Sequence, residues 1–479
     1  MFQGGFVVLG LIVAAVLTSC REAPREEADV IILQTGRLRG NVHPLSLQAN
    51  APLQHYPFLA GYVKKVREEA ARTGARVVLV DLGDSLGGSF ASYATGSRNM
   101  IAFFNALGYD VVALSNLDFD VTPEVVEKLD AGVINPFVDS SGKPATTGTR
   151  PSVTIEKEGL AIEVLANFYG DTSRDDHPER FPARFGTVED GGVLPLRTLP
   201  GEKSSGLRLL TWMKFESPED PPAEFLQALR EGGVDAILAH RIYGGHKLEA
   251  WAEGGIITWN PPVSLNILRN NGGFALARLD LKKDGDEWRV LGQELVPMTS
   301  NTSEPDEEII SVVDGFAEEI RAADKPVTVL EDGVSEDQIL ELYMDALLGV
   351  PGAGAVAYSV QSIRTDWPRG PLNASGIFNA LPWTTPIVKI SLDRAELARA
   401  ADALGLVVKI REDAPQEGPL EVVTSEFFAT LIRQELAPRE PLISETGIPS
   451  EFDFFLQALL KNPELKREAA PTADTPPAP

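Results

Sequence analysis

Apolar and polar positions follow two alternating periods along the first 300 residues. Short apolar runs at 29–35, 77–80, 111–114, 132–138, 161–165, 207–213 and 234–238 read as buried strands. Helical spacing fills the gaps. Phe58, Leu59, Tyr62, Val63 and Val66 share one face, with Lys64, Lys65, Arg67 and Glu68 off it. Met100, Ile101, Phe103, Phe104 and Leu107 form a second such face. Thr122-Pro123-Glu124 opens another helix, with Thr122 as N-cap and Pro123 at the first helical position. Residues 221–231 read as one more. This alternation predicts an α/β domain with a mostly parallel sheet covered on both faces. Runs at 256–259, 273–281 and 288–295 are expected to be antiparallel strands closing a second sheet, and 171–206 a long loop.

The second part of the chain changes character. Ser303-Glu304-Pro305-Asp306 resembles a capping box, and Ile309, Val312, Val313, Phe316 and Ile320 continue it at helical spacing as a bridging helix. Residues 335–348 predict a further helix, and the region from 353 to about 460 a separate mixed domain. The Pro- and Ala-rich stretch 468–479 is expected to be disordered. The expected units are 1–20 (signal peptide), 21–28 (tether), 29–300 (first domain), 301–325 (linker helix), 326–462 (second domain) and 463–479 (tail).

Composition narrows the function. The 479 residues carry 69 acidic and 43 basic side chains, a formal charge of −26, which speaks against nucleic acid as a partner. The single cysteine, Cys20, permits no intramolecular disulfide and no thiolate metal site. It ends an apolar run over 6–17 in the order Leu17-Thr18-Ser19-Cys20, which resembles a bacterial lipobox. Lipidation of Cys20 would anchor the protein to a membrane of the cell envelope, facing periplasm or exterior.

The acids at the strand ends carry the candidate chemistry. Asp81 and Asp84 follow the strand at 77–80; Asn116, Asp118 and Asp120 follow the one at 111–114. Open α/β sheets place their ligands at such carboxyl ends. Ordered motifs here resemble the bacterial periplasmic 5′-nucleotidase and UDP-sugar hydrolase family. Its I-L-H-T-N-D-x-H-G is similar to Ile32-Leu33-Gln34-Thr35-Gly36-Arg37-Leu38-Arg39-Gly40, and its D-x-G-D to Asp81-Leu82-Gly83-Asp84. Its N-A-L-G-Y-D stands unchanged at 105–110, and its G-N-H-E-F-D is similar to Ser115-Asn116-Leu117-Asp118-Phe119-Asp120. Its V-D-x-I-I-G-G-H-S-H is similar to the run from Val234 to Tyr243, its N-G-G-G-I-R to the run ending in Arg364, and its L-P-F to Leu381-Pro382-Trp383. The resemblance covers about residues 30–430. It implies a four-layer calcineurin-like metallophosphoesterase domain, a linker helix and an α+β 5′-nucleotidase C-terminal domain.

The same resemblance implies two divalent cations activating a water for phosphoester hydrolysis in nucleotide catabolism. Most of the ligands it implies are replaced. Arg37 and Arg39 stand for the first-strand Asp and His, Leu117 for the phosphoryl-stabilising His, and Arg241 and Tyr243 for two later imidazoles. Asp84 and Asn116 remain at metal-ligand positions, and Asp84, Asn116 and Asp118 are the remnant catalytic set. Arginine stays protonated and cannot ligate a cation. Arg37 and Arg39, two apart on one strand face, are expected to pair with Asp84 and Asp118 in fork geometry, occupying the space and charge of the metals. Arg241 joins them as an anion or ion-pair candidate.

In the second domain the resemblance assigns nucleotide reading to Arg364 and base stacking to Trp383; Phe427 and Phe428 are expected to pack in the core. The expected function is a catalytically impaired 5′-nucleotidase-like lipoprotein, a pseudoenzyme without cofactor, that binds a nucleotide, an oxyanion or a protein partner. Two alternatives stand beside it. One is an active hydrolase with a metal site rebuilt from Asp81, Asp84, Asn116, Asp118, His240 and His246; the other is a scaffolding lipoprotein with both pockets dead.

Overall fold

The computed structural model describes residues 26–42, 56–114, 118, 121–135, 148–167, 206–214, 223–241, 250–253, 255–259, 261, 275–439 and 441–461. The lipobox with Cys20, the expected loop at 171–206 except for residue 206, the C-terminal tail, Asn116, Leu117, Asp120, Tyr243 and His246 lie outside these residues.

Two six-stranded sheets build the first domain. The first has the order β12-β11-β1-β2-β3-β4. Its parallel strands are β1 (Val30–Thr35), β2 (Arg76–Asp81), β3 (Val111–Ala113) and β4 (Gly132–Ile134). The second has the order β5-β6-β7-β8-β10-β9. It comprises β5 (Ser152–Lys157), β6 (Leu160–Asn167), β7 (Leu207–Lys214), β8 (Ala236–Arg241), β9 (Trp251–Glu253) and β10 (Ile256–Trp259). The hydrophobic pattern decides how the sheets meet. Leu207, Leu209, Leu238, Ile257 and Trp259 join Ile32 and Val78 in one buried core. The alternate residues Leu210, Trp212, Ile237 and Ala239 pack on the other face with Leu226 and Leu229. Helices α1 (Tyr56–Thr73) and α3 (Arg98–Leu107) bury their apolar faces in the first core.

Two expected strands change partners. β11 (Ala275–Asp284) and β12 (Glu287–Pro297) extend the first sheet, antiparallel to the open edge of β1, and do not close the second. Strand β10 pairs parallel with β8, while β9 lies antiparallel to β10. A parallel β1–β2 pair leaves β1 with an unpaired row of backbone groups, which β11 satisfies. Thr122 does stand before α4 (Pro123–Val126), but that helix is one turn long and the Thr122 side chain makes no capping bond. Asp306, not Ser303, caps the linker, accepting from the backbone N–H groups of Glu308 and Ile309; the Ser303 hydroxyl donates to the Phe58 carbonyl. The bridging helix is broken into two pieces, 307–314 and 317–323, at Gly315 and Phe316.

The second domain holds a five-stranded sheet of the order β17-β14-β18-β16-β19 and a two-stranded β13-β15 pair. These are β13 (Pro326–Leu330), β14 (Ala355–Tyr358), β15 (Gly370–Asn373), β16 (Ile387–Leu392), β17 (Val407–Ile410), β18 (Leu420–Ser425) and β19 (Ile443–Ile448). Its core is not purely its own. Helix α2 (Phe90–Thr95), a short element that periodicity did not reveal, leaves the first domain directly after the Asp84 loop. It buries Phe90 and Ala91 among second-domain residues. The Phe90 ring lies 6.0 Å from Phe378 and 6.5 Å from Phe452, and Tyr93 lies 5.3 Å and 4.9 Å from the same two rings. The Tyr93 hydroxyl donates to Asp453, and Arg98 pairs with Glu319 beside it. Burial, then Asp453, pushes the Tyr93 phenol well above its ordinary range.

Phe90→Ala is therefore expected to cost about 3–5 kcal/mol, the range for a buried phenylalanine truncated to alanine. Urea denaturation measures this; a loss below about 1 kcal/mol would show that α2 does not tie the domains together.

Candidate functional site

The first strand stops at Thr35, and its neighbour stops beside it at Asp81. Beyond that point the two chains run on together as paired loops. The Leu82 N–H donates to the Thr35 carbonyl (2.9 Å), the Arg37 N–H to Gly83 (2.8 Å), the Arg39 N–H to Asp84 (3.2 Å) and the Gly40 N–H to Ser85 (2.8 Å). The Ser85 hydroxyl accepts the Leu38 N–H at 3.1 Å, and Ser89 donates to the Gly40 carbonyl at 2.8 Å. Gly40 is required where it stands. Its φ is +69°, and a Cβ there would lie 2.6 Å from the Ser89 hydroxyl.

Three non-glycine residues of these loops share left-handed backbone: Arg37 (φ 55°), Arg39 (φ 49°) and Asp84 (φ 57°). Such positions cost free energy for a side chain and cluster at functional sites. This curl, rather than strand alternation, brings both arginines onto Asp84. Arg37 Nε donates to Asp84 Oδ2 at 3.2 Å and Arg39 Nε to the same oxygen at 3.3 Å. Arg37 and Asp84 are buried, while the Arg39 side chain is 38% exposed. Each arginine meets Asp84 through its Nε, on one oxygen rather than in a two-bond fork, and among the described residues Asp84 is the sole side-chain partner of Arg39. Asp84 Oδ1 is buried with no partner.

Asp118 takes a different part from the one expected. Its described partners are backbone groups: the N–H of Asp84 (2.7 Å) on Oδ2, and those of Ser85 (2.8 Å) and Leu86 (2.7 Å) on Oδ1. Successive N–H groups curled by a left-handed residue form a concave nest for an anion, and a carboxylate fills this one. Asp118 thus fixes the loop that presents Asp84.

Asp81 is the third acid of the cluster. It accepts the Thr35 hydroxyl on Oδ2 at 2.7 Å and the Gly83 N–H on Oδ1 at 2.9 Å. The Thr35 hydroxyl is in turn 2.9 Å from the Tyr109 hydroxyl. Burial pushes the Asp81 carboxyl up to about 6, with Asp84 adding to the rise and the Thr35, Gly83 and Ser85 bonds opposing it. Burial likewise holds the Tyr109 phenol well above its ordinary range. Gln34, buried in β1, donates to the Ala239 carbonyl at 3.1 Å and ties the two sheets together at this end. Sequence reasoning passed over Gln34, Thr35, Ser85 and Tyr109. The available signal was a pair of polar residues closing an otherwise apolar strand.

Of the remaining candidates, His240 and Arg241 end β8, with their side chains outside the described set. Arg364 and Trp383 come together in the second domain: the guanidinium lies 4.8 Å from the centre of the half-buried ring, whose Nε1–H donates to the Ser362 carbonyl at 2.9 Å. The arginine covers a ring face that a base would need. Phe428 packs on Tyr358 at 4.9 Å in the core, with Phe427 against it at 5.2 Å. The Phe452 N–H donates to the Trp383 carbonyl at 3.0 Å, so this pair abuts the aromatic cluster that receives α2.

The raised pKa of the buried Asp81 predicts a pH signature. Between about pH 4 and pH 6 the carboxyl is protonated when folded and ionised when unfolded, so its contribution to stability falls as pH rises through that window. Asp81→Asn has no such slope. Its stability relative to the unaltered protein is expected to improve by about 2–3 kcal/mol from pH 4 to above pH 6, read from denaturation curves across pH. A pH-independent difference would place the carboxyl in its ordinary range.

No family model matches the chain. Among curated proteins, Protein UshA of Salmonella pullorum is 27% identical over 122 residues, which is 25% of this chain and 22% of that protein. The match thus spans about a fifth of the relative's length. Solved structures match almost throughout. A putative 5′-nucleotidase from Staphylococcus aureus in complex with alpha-ketoglutarate gives a TM-score of 0.66 at 13% identity, covering 90% of this chain and 97% of that one. The 5′-nucleotidase of Candida albicans gives 0.60 at 13%, covering 91% and 98%. The sulfate thiohydrolase SoxB of Thermus thermophilus gives 0.57 at 14%, covering 92% and 95%. At such identities the likeness shows the fold: a calcineurin-like phosphoesterase domain followed by the C-terminal domain of 5′-nucleotidases.

Proposed function

We propose that this protein uses a 5′-nucleotidase fold to bind a tetrahedral oxyanion at the arginine-lined end of its first sheet, without hydrolysing phosphoesters there. The observation that carries the reading is the charge at Asp84. Two guanidiniums converge on one carboxylate oxygen, and among the described residues the half-exposed Arg39 side chain pairs with Asp84 alone. Its terminal nitrogens are left to meet an anion, in a chain whose formal charge is −26.

The residues present do not fit the two divalent cations that this fold implies. Asp84 Oδ1 is a suitable donor with no partner, but Oδ2 faces two positive charges. Among the described residues no group of three or more His, Cys, Asp or Glu could hold a metal ion. A cation beside Asp84 would be repelled by both guanidiniums in a low-dielectric site.

A location in the cell envelope, through a lipid on Cys20, remains part of this proposal. It is supported by the Leu17-Thr18-Ser19-Cys20 motif. Among the described residues no helix is long and apolar enough to cross a membrane. A nucleotide at Arg364 and Trp383 is the less favoured ligand, because the arginine already lies over the ring.

The test joins binding with catalysis. Phosphate, thiosulfate and nucleotides are screened for a rise in melting temperature, with an oxyanion expected to stabilise by roughly 2–3 kcal/mol at about a hundred times its Kd. Arg39→Gln is expected to abolish that rise. Phosphoesterase assays with added manganese, cobalt or zinc are expected to show no turnover. Metal-dependent activity lost in Asp84→Ala would overturn the reading in favour of a rebuilt hydrolase.

A further inference from the structure

We infer that the anion selected here is one that still carries a proton: hydrogen phosphate, in preference to sulfate or a fully ionised phosphoester. The inference rests on the oxyanion-binding reading and adds its specificity. Asp84 Oδ2 is held by both arginines, while Oδ1 is buried and partnerless. An ionised carboxylate only accepts hydrogen bonds. Among the described residues the charged groups around it are Arg37 and Arg39 from one loop, Asp81 from the end of β2, and Asp118, which is engaged by three backbone N–H groups. None of them donates to Oδ1. An anion drawn in by the guanidiniums therefore lies beside a bare acceptor. If it brings only lone pairs, the two repel; if it brings an O–H, the orphaned oxygen is satisfied.

Access runs past Arg39, whose side chain is 38% exposed and is held to Asp84 by one 3.3 Å bond. Displacing that guanidinium toward solvent opens Oδ1 and leaves the arginine free to close over the bound anion. A site built around such an acceptor rejects analogues that lack the donor, since the buried oxygen is then left unpaired. Hydrogen phosphate keeps its proton into the strongly alkaline range, and sulfate has none near neutrality. A phosphomonoester loses its second proton near pH 6. At neutral pH the geometry thus favours a free phosphate, the product of phosphoester hydrolysis, over the ester itself.

Calorimetric titration of the full chain with sodium phosphate, sodium sulfate and methyl phosphate, at about pH 5 and about pH 8, tests this. Phosphate is expected to bind at least about tenfold more tightly than sulfate at both pH values. Methyl phosphate should match phosphate at the lower pH and fall about tenfold or more behind it at the higher. Burial places the Asp81 carboxyl at about 6, between the two conditions, so the ratios between anions at each pH are compared rather than their absolute affinities. Asp84→Asn supplies an amide donor, and asparagine tolerates the left-handed φ of 57°. In that variant sulfate should equal or exceed phosphate. If the unaltered protein binds phosphate and sulfate equally, the inference fails and the oxyanion reading stands; if neither binds, both fail. The ester comparison needs no substitution, so a misfolded variant leaves the test intact.

Discussion

The grip of Asp118 on three consecutive backbone N–H groups is the interaction on which the rest of the site depends. Those groups belong to Asp84, Ser85 and Leu86, and they point the same way only because Asp84 adopts left-handed backbone. A buried loop cannot leave three donors unsatisfied, and a carboxylate is the acceptor best suited to them. Once the loop is fixed, its carbonyls at Gly83, Asp84 and Ser85 are placed to receive the N–H groups of Arg37, Arg39 and Gly40. The arginine loop is therefore shaped by the acid loop, and the acid loop by Asp118.

Charge is distributed over this scaffold in layers. Asp81 lies deepest, and its burial favours the neutral form. Asp84 lies between Asp81 and the arginines, and the arginines face outward from it, Arg39 reaching solvent. The arrangement sets two fixed organic cations against one buried carboxylate. Guanidiniums carry charge without demanding a coordination sphere, and they hold a carboxylate through directed N–H bonds.

The site is also joined to the second domain. Only five residues separate Asp84 from Phe90, which belongs to the second domain's core, and the Ser89 between them both caps α2 and holds the Gly40 carbonyl. Phe452, which receives the α2 rings, is bonded through its backbone to Trp383. The arginine site and the Arg364–Trp383 pair therefore share one short aromatic connection. Chain order alone gives no reason to expect the contact, because the partners lie far apart in sequence.

The sequence by itself determined the elements and the location of the site. Continuous apolar runs marked β1 and β2, which are buried on both faces, and helical spacing marked α1 and α3, because burying one helix face imposes a period that survives in the residue order. The acids at the ends of two neighbouring strands marked one end of the sheet as the candidate site, and the arginines beside them were legible as letters. Tertiary structure decided what those letters do. Strands β11 and β12 joined the first sheet because β1 had an open edge, which is a property of pairing and not of any one strand. Arg37 and Arg39 reached Asp84 through left-handed turns stabilised by a neighbouring loop, so strand alternation gave the right target for the wrong geometrical reason. Asp118 turned to backbone donors whose direction no sequence pattern encodes. Periodicity records which side of an element is buried; which polar atoms then face one another depends on contacts between distant segments, and these exist only once the chain has folded.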